Sequence, residues 1–243
     1  MVITGGTSGI GLASARRFAA EGARIAVVGR GGTGAVVEGL PRVHPAPHLG
    51  IEADLSEIAG VELVCERLRE SFGHLDVVFA NAGIALYRPL MEWTEEDFDR
   101  VFAINAKAQF FTAQRCVPLL ADGGVILFTG SVAADLGQPT MAVYGASKAV
   151  APAYARLFSA ELLARRIRAF CLTPGPTDTP IFRKGGLDEA AAREKLERVA
   201  EAVPIGRYGD ADELAAVALF LASDESSYML GTEVAVDGGK SQL

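Results

Sequence analysis

The stretch "TGGTSGIG", residues 4–11, lies between a short apolar run and a helical pattern, and its reading decides the fold. "VIT" (2–4) precedes it as a strand, and "GLASARRFAAEG" (11–22) follows as a helix stopped at Gly22. Gly5, Gly9 and Gly11 permit a tight turn, close approach of the backbone to a bound group, and close packing of helix on strand. The helix N-terminus behind them offers free N–H groups and a partial positive charge, which suit a pyrophosphate. In isolation, a glycine turn that holds nothing would look the same. Its position after the first strand of an alternating chain favours the anion-binding reading.

Outward from that turn, β-branched runs alternate with helical patterns to the end of the chain. "RIAVVG" (24–29), "LGIEAD" (49–54), "LDVVFAN" (75–81), "GVILFTG" (124–130), "IRAFCLT" (167–173) and "TEVAVDG" (232–238) read as strands. Helices are expected over 56–72, 94–120, 142–165 and 210–222. The segment "GGTGAVVEGLPRVHPAPH" (31–48) reads as irregular, with a helical turn at most. Continuous apolar strands parted by helices imply parallel strands covered on both faces. Right-handed crossovers then give a doubly wound α/β sheet, one domain over residues 1–243. Residues 180–206 carry one amphipathic helical pattern and read as a lid, with bounds at about 176–208.

The chain has 243 residues, half of them apolar, and a net charge of −7, enough to bury a large core. An acidic chain without a Lys/Arg cluster is a poor partner for nucleic acid or an anionic membrane. Cys65, Cys116 and Cys171 are far apart and form no CxxC, so they read as reduced, buried thiols. His44, His48 and His74 share no metal-ligand spacing. "MVITGGTSGIG" lacks the cationic segment of a signal peptide, and the longest apolar run, "LAAVALFLA" (214–222), is about half a membrane span. The expectation is a cytoplasmic protein with neither metal nor membrane anchor.

The chemistry centres on "VYGASKA" (143–149), which sets Tyr144 and Lys148 four residues apart on one helical face. A free phenol titrates near 10, so bringing it to about 7 needs roughly 4 kcal/mol in favour of the phenolate. An ammonium about 5 Å away, at an effective dielectric near 20, supplies roughly 3 kcal/mol. The pair is therefore adequate for general acid/base work if water is kept out. On a solvated helix the same pair is mere decoration, and its company lifts it above that. Ser131 ends a strand thirteen residues earlier, where its hydroxyl can steady a developing alkoxide. Asn105 stands mid-helix, where a short amide has only modest propensity.

T-G-x-x-x-G-x-G, "NAG" at 81–83, Ser131 and Y-x-x-x-K together resemble the classical short-chain dehydrogenase/reductase family, over the whole chain. The resemblance implies a Rossmann-type seven-stranded parallel sheet in the order 3-2-1-4-5-6-7 with helices on both faces. It also implies hydride transfer between NAD(P)(H) and an alcohol or carbonyl, in a homotetramer or, as the alternative, a homodimer. By that resemblance Tyr144 is the proton donor in reduction and the base in oxidation. Lys148 lowers its pKa and meets the nicotinamide ribose, Ser131 binds the substrate oxygen, and Asn105 holds a water that links Lys148 to solvent. Cofactor contacts are implied at Gly5, Thr7, Ser8, Gly9, Ile10 and Gly11, at Asp54 and Leu55 beside the adenine, at Asn81, Ala82 and Gly83, and at Tyr144 and Lys148. Pro174, Gly175, Thr177 and Thr179 would hold the carboxamide, Thr177 through its backbone. Two departures stand out: Ala80 replaces the first asparagine of the family's N-N-A-G, and Phe170 takes a strand position where relatives usually carry asparagine, which implies altered packing beneath the site.

The second strand ends "VVGR", with Gly29 where NAD-preferring relatives carry an acid, and Arg30 next. Without a carboxylate to repel it, a phosphate can be gripped by the forked guanidinium, so NADP(H) is expected ahead of NAD(H). Ser8 departs from the basic residue that some NADP-preferring relatives carry there. Pocket candidates are Ala133, Ala134, Gln138, Met141, Tyr87, Pro176 and Phe182, mostly apolar, which suits a neutral ketone or aldehyde. A dinucleotide-binding sensor without turnover is the rival reading, disfavoured because it has no use for an intact Ser–Tyr–Lys–Asn set. The family's enoyl reductase branch spaces its tyrosine and lysine more widely than Y-x-x-x-K.

Overall fold

The computed structural model describes residues 1–180 and 199–243. Its strands are β1 (Val2–Thr4), β2 (Ala26–Gly29), β3 (Leu49–Glu52), β4 (Leu75–Ala80), β5 (Leu120–Thr129), β6 (Arg168–Pro174) and β7 (Glu233–Val236). They form one seven-stranded sheet in the order β3-β2-β1-β4-β5-β6-β7, every pair parallel, as the sequence led us to expect. Chain reversal between β1 and β4 opens a crevice at the carboxyl ends of these two strands, where doubly wound sheets bind ligands.

Helices α1 (Gly9–Ala20), α2 (Thr33–Glu38), α3 (Ile58–Phe72), α4 (Glu95–Phe102), α5 (Ala108–Cys116), α6 (Ala142–Lys148), α7 (Val150–Glu161) and α8 (Ala211–Ala222) flank the sheet. Strand side chains alternate between two cores, as a period of two requires. Ile126 and Phe128 of β5 join Leu68, Ala113 and Ala155 on the α3–α5–α7 side. Val125 and Leu127 join Phe18, Leu214 and Leu221 on the α1–α8 side. Phe170 belongs to this second core and is fully buried, so the residue that departs from the family pattern fills hydrophobic space beneath the site.

Residues 94–120 depart from the single helix expected of them. A π-helical turn at Ala103–Lys107 separates α4 from α5, and a 3-10 turn at Val117–Leu119 leads into β5, which begins at Leu120 rather than at 124. The wide turn lets Asn105 face inward, fully buried, and bond the backbone of Ile84 through both ends of its amide. The helical stretch 142–165 is likewise divided, α6 ending at Lys148 and α7 starting at Val150. Pro152 explains that break, because it has no N–H for the carbonyl of Lys148 four residues before it. The amphipathic helix expected within 180–206 falls largely on residues 181–198, outside the described residues, and so does Phe182. Among the described residues no helix is long and apolar enough to cross a membrane, and no cluster of His, Cys, Asp or Glu could hold a metal ion.

Candidate active site

The glycine turn after β1 is built from backbone that side chains would spoil. Gly5 and Gly9 have φ of +65° and +51°, the left-handed region in which a Cβ is costly. A Cβ on Gly11 would lie 2.3 Å from the carbonyl oxygen of Gly5, so the first turn of α1 rests directly on the loop. Ser8 is the N-cap of α1 yet makes no side-chain cap bond, and the first turn carries no acid. Its N–H groups are thus uncommitted by any side-chain cap and meet no opposing charge, a cradle that fits a pyrophosphate. Thr179 closes the far wall, its methyl 3.1 Å from where a Cβ of Gly9 would stand. Ile10 packs into the core beneath α1.

Asn81 ties the strand ends together around this cradle. Its Nδ2 donates to the Thr4 carbonyl at 3.0 Å, while its own N–H and that of Ala82 donate to Thr4 Oγ1. Thr129 Oγ1 in turn donates to Asn81 Oδ1, so one side chain spans β1, β4 and β5. Gly83 then passes so close to the inner cluster that a Cβ would come 3.1 Å from Lys148 Nζ and 3.3 Å from Asn105 Oδ1.

At the adenine end, Leu55 is buried and Asp54 is exposed. Asp54 Oδ1 accepts from both the N–H and the hydroxyl of Ser56. Those two bonds, with Arg30 and Arg100 nearby, hold the Asp54 carboxyl below its ordinary range. One oxygen of the expected adenine partner is therefore already committed to Ser56. Beside it, a Cβ at Gly29 would stand 2.8 Å from Thr7 Cγ2 and 3.1 Å from Thr7 Oγ1, so Thr7 fills the space that an acid at this position would need. Arg30 follows, exposed.

The reactive side chains meet where α6 crosses the end of β5. A Cβ on Gly145 would lie 2.4 Å from the Ala133 carbonyl, and only glycine lets α6 settle that close to residues 131–134. The contact brings the Tyr144 hydroxyl into hydrogen-bonding reach of Ser131. Ser131 Oγ also accepts from the N–H of Ala133, which orients the hydroxyl. Ser147, absent from the sequence expectations, donates to the Tyr144 carbonyl at 2.7 Å and accepts from Asn105 Nδ2 at 3.0 Å. It joins α6 to the π turn. Asn105 thereby spends its side chain on Ile84 and Ser147, so the expected water would have to be held by its backbone.

Lys148 Nζ donates to the Thr129 carbonyl at 3.0 Å, and burial lowers its pKa to about 8. Burial likewise raises the Tyr144 phenol above its ordinary value, with the Ser131 bond pulling the other way. Lys148 is not among the groups that shift the phenol here. In the protein alone, desolvation governs both groups and the amine is turned to a carbonyl rather than to the phenol.

Around the entrance, Gln138, Met141, Ala134 and Pro176 are half-buried, while Ala133 is buried with its carbonyl under α6. The Tyr87 ring lies 6.3 Å from that of Tyr144, and burial raises its phenol. Tyr208, a residue not anticipated, has its phenol pushed up to about 12 by burial and acts on Tyr87. Thr140 holds φ of +70°, and its carbonyl accepts from the N–H of Arg88, which fastens one entrance loop to the other. Pro174 and Gly175 are buried at the end of β6, Gly175 packed on Asp237. Thr177 turns its hydroxyl to the Gly175 carbonyl and Thr179 turns its own to that of Thr177, leaving backbone to face a ligand.

A family model described as enoyl-(acyl carrier protein) reductase matches residues 5–241. The chain is 37% identical to the oxidoreductase asL5 of Sarocladium schorii, over all of this chain and 95% of that protein. It is 36% identical to the 3-oxoacyl-[acyl-carrier-protein] reductase FabG of Thermotoga maritima, covering 98% of this chain and 96% of that one. A short-chain dehydrogenase from Burkholderia cenocepacia, solved in complex with NADP, superposes with a TM-score of 0.89 at 32% identity, over 98% of this chain and 96% of that one.

Proposed function

The chain belongs to the classical short-chain dehydrogenase/reductase family and is one of its oxidoreductases, and from that premise we propose that it reduces a neutral apolar ketone or aldehyde with NADPH. The observation that carries the reading is the convergence of Ser131, Tyr144 and Lys148 beside an uncapped glycine turn. The nicotinamide supplies the hydride when bound. Ser131 holds the carbonyl oxygen, and Tyr144 gives it a proton as the alkoxide develops. Lys148, released from Thr129, then stabilises the phenolate that remains, and Thr177 and Thr179 would hold the carboxamide through the backbone.

NADP(H) is favoured over NAD(H) because the acid position is glycine, Thr7 crowds it, and Arg30 adjoins it. The NADP complex of the Burkholderia relative supports that choice. Half-buried apolar residues at the entrance support a neutral substrate, and the FabG relative points to 3-oxoacyl compounds as one class to try. Enoyl reduction, the activity in the family model's description, is the second class to try, although Tyr144 and Lys148 stand only four apart. A homotetramer is supported by half-buried Phe110, Phe111 and Tyr154 on α5 and α7 and by exposed Leu157. Sedimentation velocity would test that assembly.

The deciding experiment screens ketones, aldehydes, 3-oxoacyl and enoyl thioesters for oxidation of NADPH and of NADH. Consumption of NADPH with an apolar ketone supports the reading. Silence across the panel, with dinucleotide still bound, would leave a sensor.

A further inference from the structure

Two buried side chains give hydrogen bonds to the same carbonyl at the heart of the site. Lys148 Nζ and Gln109 Nε2 each lie 3.0 Å from the oxygen of Thr129, and both residues are nearly inaccessible, at 3% and 2% exposure. Gln109 comes from α5, four residues after Asn105, and its Oε1 has no hydrogen-bond partner. A buried glutamine that leaves half its amide unsatisfied is an unfavourable choice for plain packing, since an apolar side chain of equal length would avoid the penalty. Its one bond goes to the acceptor of the lysine.

We propose that Gln109 is a positioning residue for Lys148. When the amine leaves Thr129 to meet the cofactor ribose and Tyr144, it abandons a buried carbonyl. A carbonyl oxygen has two lone pairs, and the one filled by Gln109 stays filled, so the departure of Lys148 does not orphan the group. The bond of the neutral amide also occupies part of the carbonyl's accepting capacity, which loosens its hold on the amine. Gln109 therefore lowers the free-energy difference between the parked and the engaged lysine without touching any reacting atom. This inference rests on the reading that Lys148 serves a bound dinucleotide.

The test is a double-mutant cycle on NADPH affinity, read by cofactor fluorescence, with thermal melting alongside. Gln109→Met keeps the length and removes the donor. The expected result is about fivefold weaker NADPH binding in the otherwise native protein, the scale set by one poorly satisfied buried carbonyl. In a Lys148→Met background the same change should have no effect, because no amine remains to be released. Equal weakening in both backgrounds overturns the proposal, since it would mean that Gln109 serves the fold alone, and so does no weakening in either. If Gln109→Met fails to fold, Gln109→Asn, polar but one methylene too short to reach Thr129, goes through the same cycle. Absence of dinucleotide binding by the native protein would instead sink the functional reading beneath it.

Discussion

Lys148 Nζ donates to the Thr129 carbonyl, two residues before Ser131, so the amine and the Ser131 hydroxyl lie at the same end of β5. A single neutral acceptor does not replace the hydration that a buried ammonium loses, and its pKa falls to about 8 against about 10.4 for a free lysine. The unfolded chain therefore binds more protons than the folded one between those two values, and stability due to this group rises with pH across the window. Below pH 8 the buried charge costs stability in full. Replacing Lys148 by Met should remove this dependence. The unfolding free energy of the native protein, relative to that of the variant, should climb by on the order of 3 kcal/mol from pH 8 to about 10.4, measured by urea titration. A difference that stays flat across that range refutes the assignment. The Cys171 thiol, which also faces Lys148, is pushed up to about 12 by burial and titrates above the window.

Tyr144→Phe removes the proposed proton donor while keeping the ring that packs near Tyr87. Turnover with any carbonyl found to oxidise NADPH should fall by at least about a thousandfold, within the range expected of acid/base catalysis. NADPH affinity should change by less than about twofold, because the hydroxyl's partner here is Ser131. Turnover that survives the change would falsify the role given to Tyr144.

Gly145→Ala tests the close crossing of α6 over residues 131–134. The new methyl would stand 2.4 Å from the Ala133 carbonyl, so the helix must shift outward. A stability loss of roughly 1–3 kcal/mol is expected, as for other overpacked sites. Turnover should drop by at least about tenfold, since Tyr144 moves away from Ser131. Native activity in a well-folded variant would mean that the crossing distance does not set the geometry of the pair.

Arg30→Ala should weaken NADPH binding by about tenfold and leave NADH binding within about twofold, the loss expected for one charge-assisted grip on a phosphate. Parallel fluorescence titrations read both. Equal losses for the two cofactors would assign Arg30 to something other than the 2′-phosphate.

Much of this architecture was legible because strand and helix periods differ and the runs were long. Strand order followed from alternation together with the family resemblance, and Gly5, Gly9, Gly11, Tyr144 and Lys148 announced themselves by spacing. What remained hidden depended on contacts between distant segments. Ser147 sits inside the quoted "YGASK", yet only the fold reveals that it bridges Tyr144 and Asn105. Thr4, Thr7 and Thr129 look like ordinary β-branched residues near strand ends until Asn81 and Gly29 are seen against them. The π turn was invisible for a similar reason: Ile84, twenty-one residues away, supplies the backbone that draws Asn105 inward. Burial, which the sequence does not quantify, is the first cause of the shifts at both Lys148 and Tyr144 in the protein alone.

The π turn at Ala103–Lys107 amounts to one surplus residue in an otherwise ordinary helical path. Five residues at the wider π pitch advance about as far around the axis as four in an α-helix, so deleting one of them would close the wide turn while α5 kept its face to the sheet. Gln109, Ala113 and Cys116 would stay inward, and the turn that carries Asn105 to the Ile84 backbone would be lost. Length at this point is thus as much a part of the site's construction as residue identity, and a library that varies side chains alone would never discover it.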